Sequence, residues 1–444
     1  MKFELLPNEI FIECFEYLDV LDIFYSFNQL NDRLNKLIRN IPLRINFQYV
    51  RKAKFSQFCR QITLDPEIIQ QISSLHLSNK DTCGQIKTFL SICSFNKYSN
   101  IHSLTLSHVE EENVPVLQSI LPLCSKLYTF HLISPQVDEE AIIFALPISN
   151  IQKLSIISLR SFLIHIQQST LITHLTILNC SLEQLLYQLF KYVPLLKYLN
   201  VECISKYNRS LKNNTIIDRY NAVHLKHLII GQFKYRFEDF AKFVLQTPNL
   251  QNLTISADYD IGMFDANEWE ILIRSSLSFV NIFKFKFGCH RTYKDFAMLN
   301  FKQFQTDFWV KQHQWYTQIL FEKFLLYIHT IPYLSNIFKL EFNSRKSSNE
   351  LVNVSNIFDK VTNLTLFHEQ ITDKCLYRFS NLISLKIVIL EQEIIDYSIS
   401  KYLKMIVNLS NLKHLAISQY QRLILSGELL IILKESSQLS SLTI

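Results

Sequence analysis

From Ile72 to Ile444 one short pattern keeps returning: an aliphatic residue, two variable residues, an aliphatic or Phe, one variable residue, then another aliphatic or Phe. Fourteen copies occur, among them ISSLHL at Ile72, ITHLTI at Ile172, LKHLII at Leu225, LISLKI at Leu382 and LSSLTI at Leu439. Successive starts lie 21 to 30 residues apart, except for one double-length step between Val280 and Ile337. Apolar positions two apart are the signature of a strand with one buried side. If positions four and six of the phrase point into a core, positions three, five and seven face the other way. Amphipathic stretches precede several copies: Leu185, Leu186, Leu189 and Phe190 before Pro194; Phe240, Phe243 and Val244 before Pro248; Phe324, Leu325 and Ile328 before Pro332. These spacings predict helices that the prolines end. A unit this small cannot bury its apolar side alone, so the units must stack on one another.

Period and phrase together resemble the leucine-rich repeat, most fully at Leu175–Leu182, which includes the Asn179-Cys180 step of that consensus. The resemblance implies an α/β solenoid over residues 71–444: a horseshoe of about 14–15 repeats with a parallel inner sheet and outer helices. Its business would be binding.

Residues 3–38 contain no copy of the phrase. Pro7 is placed to start a helix, because the N–H it lacks would be unsatisfied there anyway. Ile10, Phe11, Cys14, Phe15 and Leu18 then fall on one apolar side. Asp19 can cap a second short helix through Leu21, Ile23 and Phe24, with Asp22 three residues on. A third helix carries Leu30, Leu34, Leu37 and Ile38. Three short helices cannot bury this much apolar surface among themselves, and the excess implies an external partner. Residues 41–70 read as a helical linker or N-terminal cap.

The run Leu6-Pro7-Asn8-Glu9-Ile10, then Phe15, Tyr17-Leu18-Asp19 and Leu21-Asp22-Ile23, resembles the F-box. That resemblance makes residues 1–40 a three-helix domain that docks onto the Skp-type adaptor of cullin (SCF-type) ubiquitin ligases. It places the contacts on Leu6, Pro7, Ile10, Phe15, Leu18, Leu21 and Ile23. The family often has an aromatic in its third helix, where this chain has Leu34. A hydrophobic cap that merely seals the repeat stack is the alternative reading. An F-box followed by leucine-rich repeats resembles the substrate receptors of such ligases, which bind adaptor and ligase core at one end and a target protein at the other. A scaffold with the same two surfaces and no role in ubiquitin transfer is the rival function, and an enzyme with a site on the concave face is a second.

On the side facing away from the core, His174, Tyr198 and His227 form an aromatic stretch, and Lys284, Lys286, Lys339 and Lys386 are expected on neighbouring strands. The lysines could receive an acidic or phosphorylated segment. An ordinary solvated strand face explains them at least as well, because no Arg, the better phosphate fork, joins them. The double-length step holds Trp309 and Trp315, either repeat core or an exposed aromatic insertion.

Composition narrows the chemistry. Net charge of +6 over 444 residues is too diffuse for a dedicated nucleic-acid binder. Nine scattered cysteines without CxxC suit reduced thiols in a cytoplasmic or nuclear protein. No run of eighteen uncharged apolar residues predicts a membrane span. The five glycines never cluster, which excludes a P-loop, a dinucleotide fingerprint and a GxSxG elbow. His224-x-x-His227 lacks a Cys or carboxylate at ligand spacing. No catalytic residue, metal or cofactor is expected.

Overall fold

Every copy of the repeated phrase is a strand. The computed structural model describes residues 6–444 apart from 19, 29, 65, 93–99, 135–136, 138, 207–219, 259, 291–300, 322–324, 341–344, 349–356, 368–370, 373–374, 376, 390–398 and 420–425. Asp19, the expected helix cap, lies outside the described residues. The architecture is mixed α/β with a largely parallel sheet, and the chain divides into two compact units, residues 1–229 with 245–249 and residues 230–244 with 250–444.

The first unit opens with helices α1 (Asn8–Glu16), α2 (Val20–Phe27) and α3 (Asp32–Asn40). Asn31 caps α3 by accepting the Leu34 N–H at 2.9 Å. Strand β1 (Leu43–Asn46) follows, then α4 (Lys52–Leu64) and α5 (Pro66–Gln71). The linker is therefore not wholly helical. Leu43, Ile45 and Phe47 alternate with exposed residues, and β1 pairs in parallel with the first repeat strand. Phe47 meets Phe55, Phe58 and Phe89 at 5.0–5.7 Å between ring centres. Buried Gln85 donates to the Phe47 carbonyl and accepts the Ser78 N–H, tying β1 to its neighbour.

Strands β2 (Ile72–Ser78), β3 (Ser103–Ser107), β4 (Thr129–Ile133), β5 (Lys153–Ser158), β6 (His174–Cys180) and β7 (Tyr198–Ile204) then lie in chain order, each parallel to the last. Positions four and six stay in register, Leu75 opposite Leu104 and Leu77 opposite Leu106, with Leu175 opposite Leu199 further along. All are buried, each contributing about 1.5–3 kcal/mol. Between β6 and β7, Ser181 and Gln184 close a reciprocal capping box at the start of the connecting helical segment. Strand β8 (His227–Phe233) comes next, its first residue hydrogen-bonded to the Lys197 carbonyl.

In the second unit β9 (Asn252–Ala257) and β10 (Ile282–His290) continue the parallel pattern. The double-length step then departs from it. Strands β11 (Thr317–Phe321) and β12 (Leu325–Thr330) form an antiparallel pair, and β12 also runs antiparallel to β10. Leu325 and Ile328, expected on a helix, are in β12. Leu326, Ile328, His329 and Thr330 are all buried there, in a strand paired on both flanks. Trp309 and Trp315 are core, packed within about 6 Å of the Phe283 ring, and not an exposed insertion. Beyond lie β13 (Ile337–Leu340), β14 (Arg345–Ser348), which pairs with β11, then β15 (Asn363–Phe367), β16 (Ser384–Ile389), β17 (His414–Gln419) and β18 (Ser441–Thr443). Strands β13, β15, β16, β17 and β18 form a separate parallel sheet.

Gly288 on β10 faces Tyr327 on β12. A Cβ there would sit 2.5 Å from the Tyr327 ring, so a side chain cannot enter unless that ring leaves. Gly288→Ala is expected to lower unfolding free energy by about 1–3 kcal/mol, the range for overpacking, as measured by chemical denaturation.

Candidate functional site

Two surfaces carry the residues singled out in the sequence. The first is α1. Its two phenylalanines, Phe11 and Phe15, are buried, and Phe15 packs 5.2 Å from Phe27 of α2. Ile10 and Leu18 are each 40% exposed, Tyr17 is 85% exposed and Cys14 is exposed. Ile10, Cys14, Tyr17 and Leu18 follow the i, i+4, i+7, i+8 spacing of one helix side. Helix α1 and the turn after it therefore carry a buried stripe, Phe11 and Phe15, with a partly exposed one beside it, and Ile12 elsewhere on α1 is 39% exposed. Arg33 of α3 fixes how it starts: its guanidinium donates to the Asn8 side chain at 2.7 Å and to the Leu6 carbonyl at 2.6 Å, and lies over the Phe11 ring. Pro7 is exposed and Leu6 half-buried.

Phe15, Leu21 and Ile23 depart from the expectation that they face a partner. They are at most 4% exposed, because α2 turns Leu21, Ile23 and Phe24 inward, with Phe24 against Phe58 of α4. These side chains hold the helices together, and the partly exposed stripe is left to Leu6, Pro7, Ile10 and Leu18.

The second surface is the outward side of the repeat strands. His174, Tyr198 and His227 are brought together, the first two stacked with ring centres 5.7 Å apart and the second two 6.3 Å apart. Lys153 pairs in register with His174, and His174 with Tyr198. One row inward, His131 of β4 and His76 of β2 occupy position five, and His76 Nε2 lies 2.9 Å from the Ser107 hydroxyl. Burial pushes the His76, His131 and His174 imidazoles below their ordinary value. His131 adds to this at His76, Lys153 at His131, and Lys153, Lys197 and His227 at His174. Lys153 and His131 were not singled out in the sequence, although they share positions three and five with the residues that were.

The four later lysines do not form one row. Lys284 and Lys286 lie on β10, whose next partner is the antiparallel β12, whereas Lys339 and Lys386 lie on β13 and β16 of the other sheet. There they flank Thr365 in register. The inserted hairpin is what separates the two pairs. Lys286 donates to the Tyr333 hydroxyl at 2.9 Å and sits 4.4 Å from the centre of the Tyr327 ring, so it is engaged within the fold. Lys339 lies over the Phe367 ring. Burial and the neighbouring Lys360 hold the Lys284 ammonium below its ordinary value.

No family model matches this chain, and no curated protein matches it. Among the described residues, no group of three or more His, Cys, Asp or Glu is placed to hold a metal ion. No described helix is long and apolar enough to cross a membrane.

The histidines carry a pH dependence whose sign follows from linkage. Their folded-state affinity for protons is below the unfolded one, near pH 6.5, so the unfolded chain takes up more protons as pH falls. The stability they contribute is complete above that value and is lost as pH drops through their lowered folded values. The melting temperature is expected to fall between pH 7 and pH 5, and His131→Gln to flatten that slope in a thermal-melt series.

Proposed function

We propose that the chain is a non-catalytic target receptor of the F-box and leucine-rich-repeat kind. Its N-terminal helices dock onto a Skp-type adaptor of a cullin ubiquitin ligase, and its repeat face holds a target protein. The finer architecture in this reading is a small all-α F-box ahead of a leucine-rich-repeat solenoid. One observation carries it: Ile10 of α1 and Leu18 just past its end are each 40% exposed, beside the buried Phe11 and Phe15. An apolar stripe exposed beside the packed stripe of a helix suits a groove on another protein. The Leu6-Pro7 turn that begins the stripe is held in place by Arg33. The repeat strands support the other half, because their inward positions fill the core and their outward ones remain accessible. Such a receptor contributes proximity and orientation, and the transfer chemistry belongs to its partners.

Full-length protein mixed with purified Skp-type adaptor is expected to form a stable complex, with a roughly tenfold or greater loss in Leu6→Ala/Pro7→Ala/Ile10→Ala/Leu18→Ala. Because Pro7, Ile10 and Leu18 are exposed, the melting temperature of that variant should stay close to that of the parent. Adaptor binding should also shield Cys14, which is exposed on the same stripe, from a maleimide. A wild-type protein that ignores the adaptor, or a variant that binds it unchanged, sinks the docking role. Co-purification of the cullin separates a ligase receptor from a scaffold that uses the adaptor alone.

A further inference from the structure

The outward side of β4 to β8 is not uniform. Position three holds Lys153, His174, Tyr198 and His227, a cationic and aromatic edge, with Lys153 and His174 exposed. Position seven holds Ile133 on β4 and Leu178 on β6, which are 41% and 44% exposed. Between these rows, position five offers hydroxyls and an amide: Ser155, Thr176 and Asn200. Side chains on one side of a strand recur every ~7 Å and strands lie ~4.8 Å apart, so the two edges stand about 14 Å apart across a polar floor. Positions three and five of β2 to β8 carry no carboxylate. The one acid among the position-seven residues, Glu202 on β7, lies on the far row.

We propose that this face binds an acidic, amphipathic segment of a partner protein, its carboxylates against Lys153, His174 and Tyr198 and its apolar side chains against Ile133 and Leu178. The proposal rests on the reading of the repeats as the target-binding part and names the class of target. Charge complementarity selects the acid: Lys153, with Lys197 also near His174 and no carboxylate at positions three and five, attracts anions and repels basic segments. The exposed aliphatics select the amphipathic character, since a purely acidic chain would leave them in water.

A proton-linked signature follows. His174 is faced by Lys153, Lys197, His227 and Tyr198, and His131 by Lys153 and His76; both imidazoles are held towards the neutral form when the face is empty. A carboxylate laid against them favours the protonated form, so binding takes up protons and tightens as pH falls.

The test selects short random peptides from a display library on the full-length protein, then measures affinities of the selected peptides. Expected are sequences enriched in Asp and Glu together with Leu, Ile or Phe. Their affinity should fall roughly tenfold in Lys153→Glu and in Ile133→Ser/Leu178→Ser, and hold in Lys80→Glu, an exposed lysine off these rows. Affinity should rise several-fold from pH 7.5 to pH 6, and less so in His174→Gln. Lys153 and His174 are exposed, and an unchanged melting temperature confirms that their variants fold. Selected peptides without an acidic bias, or affinities that Lys153→Glu and pH leave unmoved, overturn the proposal. The Leu6→Ala/Pro7→Ala/Ile10→Ala/Leu18→Ala variant is expected to bind the peptides as the parent does. Peptide binding without adaptor binding therefore removes the ligase reading alone, and adaptor binding without acidic-peptide binding removes this proposal alone.

Discussion

In-register parallel pairing is the constraint on which the rest of this molecule depends. A strand has only two sides, and a slip of one residue would exchange them along its whole length. In the first unit the register never slips between β2 and β7: Leu75 lies opposite Leu104, Leu104 opposite Phe130, and so on to Leu199. The aliphatic rows therefore share one continuous interior, and everything polar or aromatic at positions three and five is delivered to one common surface. The alignment of His174 with Lys153 and Tyr198 is a by-product of packing leucines.

The N-terminal helices obey a different constraint. Less than forty residues of helix cannot enclose their own apolar content, and α4 supplies part of the missing cover through Phe58 against Phe24. What remains partly bare includes Ile10 near the Pro7 start of α1 and Leu18 just past its end, along with Ile12 and Leu30. That residue of apolar surface is small, ordered by Arg33, and adjacent to a proline turn, which distinguishes it from isolated surface aliphatics that carry no meaning.

Where local pattern and tertiary environment agreed, the sequence was a good guide. The strand at each repeat phrase and, in β2 to β10 and β15 to β17, the inward direction of positions four and six follow from spacing alone, as does the helix Phe237–Val244. In the last copy Leu442 and Ile444 are exposed. The departures have physical causes. Leu43, Ile45 and Phe47 form too short an alternation to stand out beside the helical residues that follow, yet a free sheet edge recruits them. Leu325 and Ile328 suit a helix or a strand, and pairing on both flanks decided for the strand. On α1 the spacing that put Ile10, Phe11, Cys14, Phe15 and Leu18 on one side merged two adjacent stripes, because a helical wheel cannot tell which of them a neighbouring helix will cover. The lysines of β10 and those of β13 and β16 looked contiguous only while the hairpin between them went unrecognised. The alternation already turned position seven outward, and Ile133 and Leu178 follow it; that aliphatics stand there at all was not picked out.

The hairpin β11–β12 also acts as punctuation. Within the second unit, β10 is bounded by a strand running with it on one flank and a strand running against it on the other. A parallel series propagates its own geometry, so that duplicating or deleting one member shifts every later member by one place. An antiparallel neighbour stops that propagation. The parallel rows through β9 and β10 therefore end against β12, and β13, β15, β16, β17 and β18 begin a parallel sheet of their own.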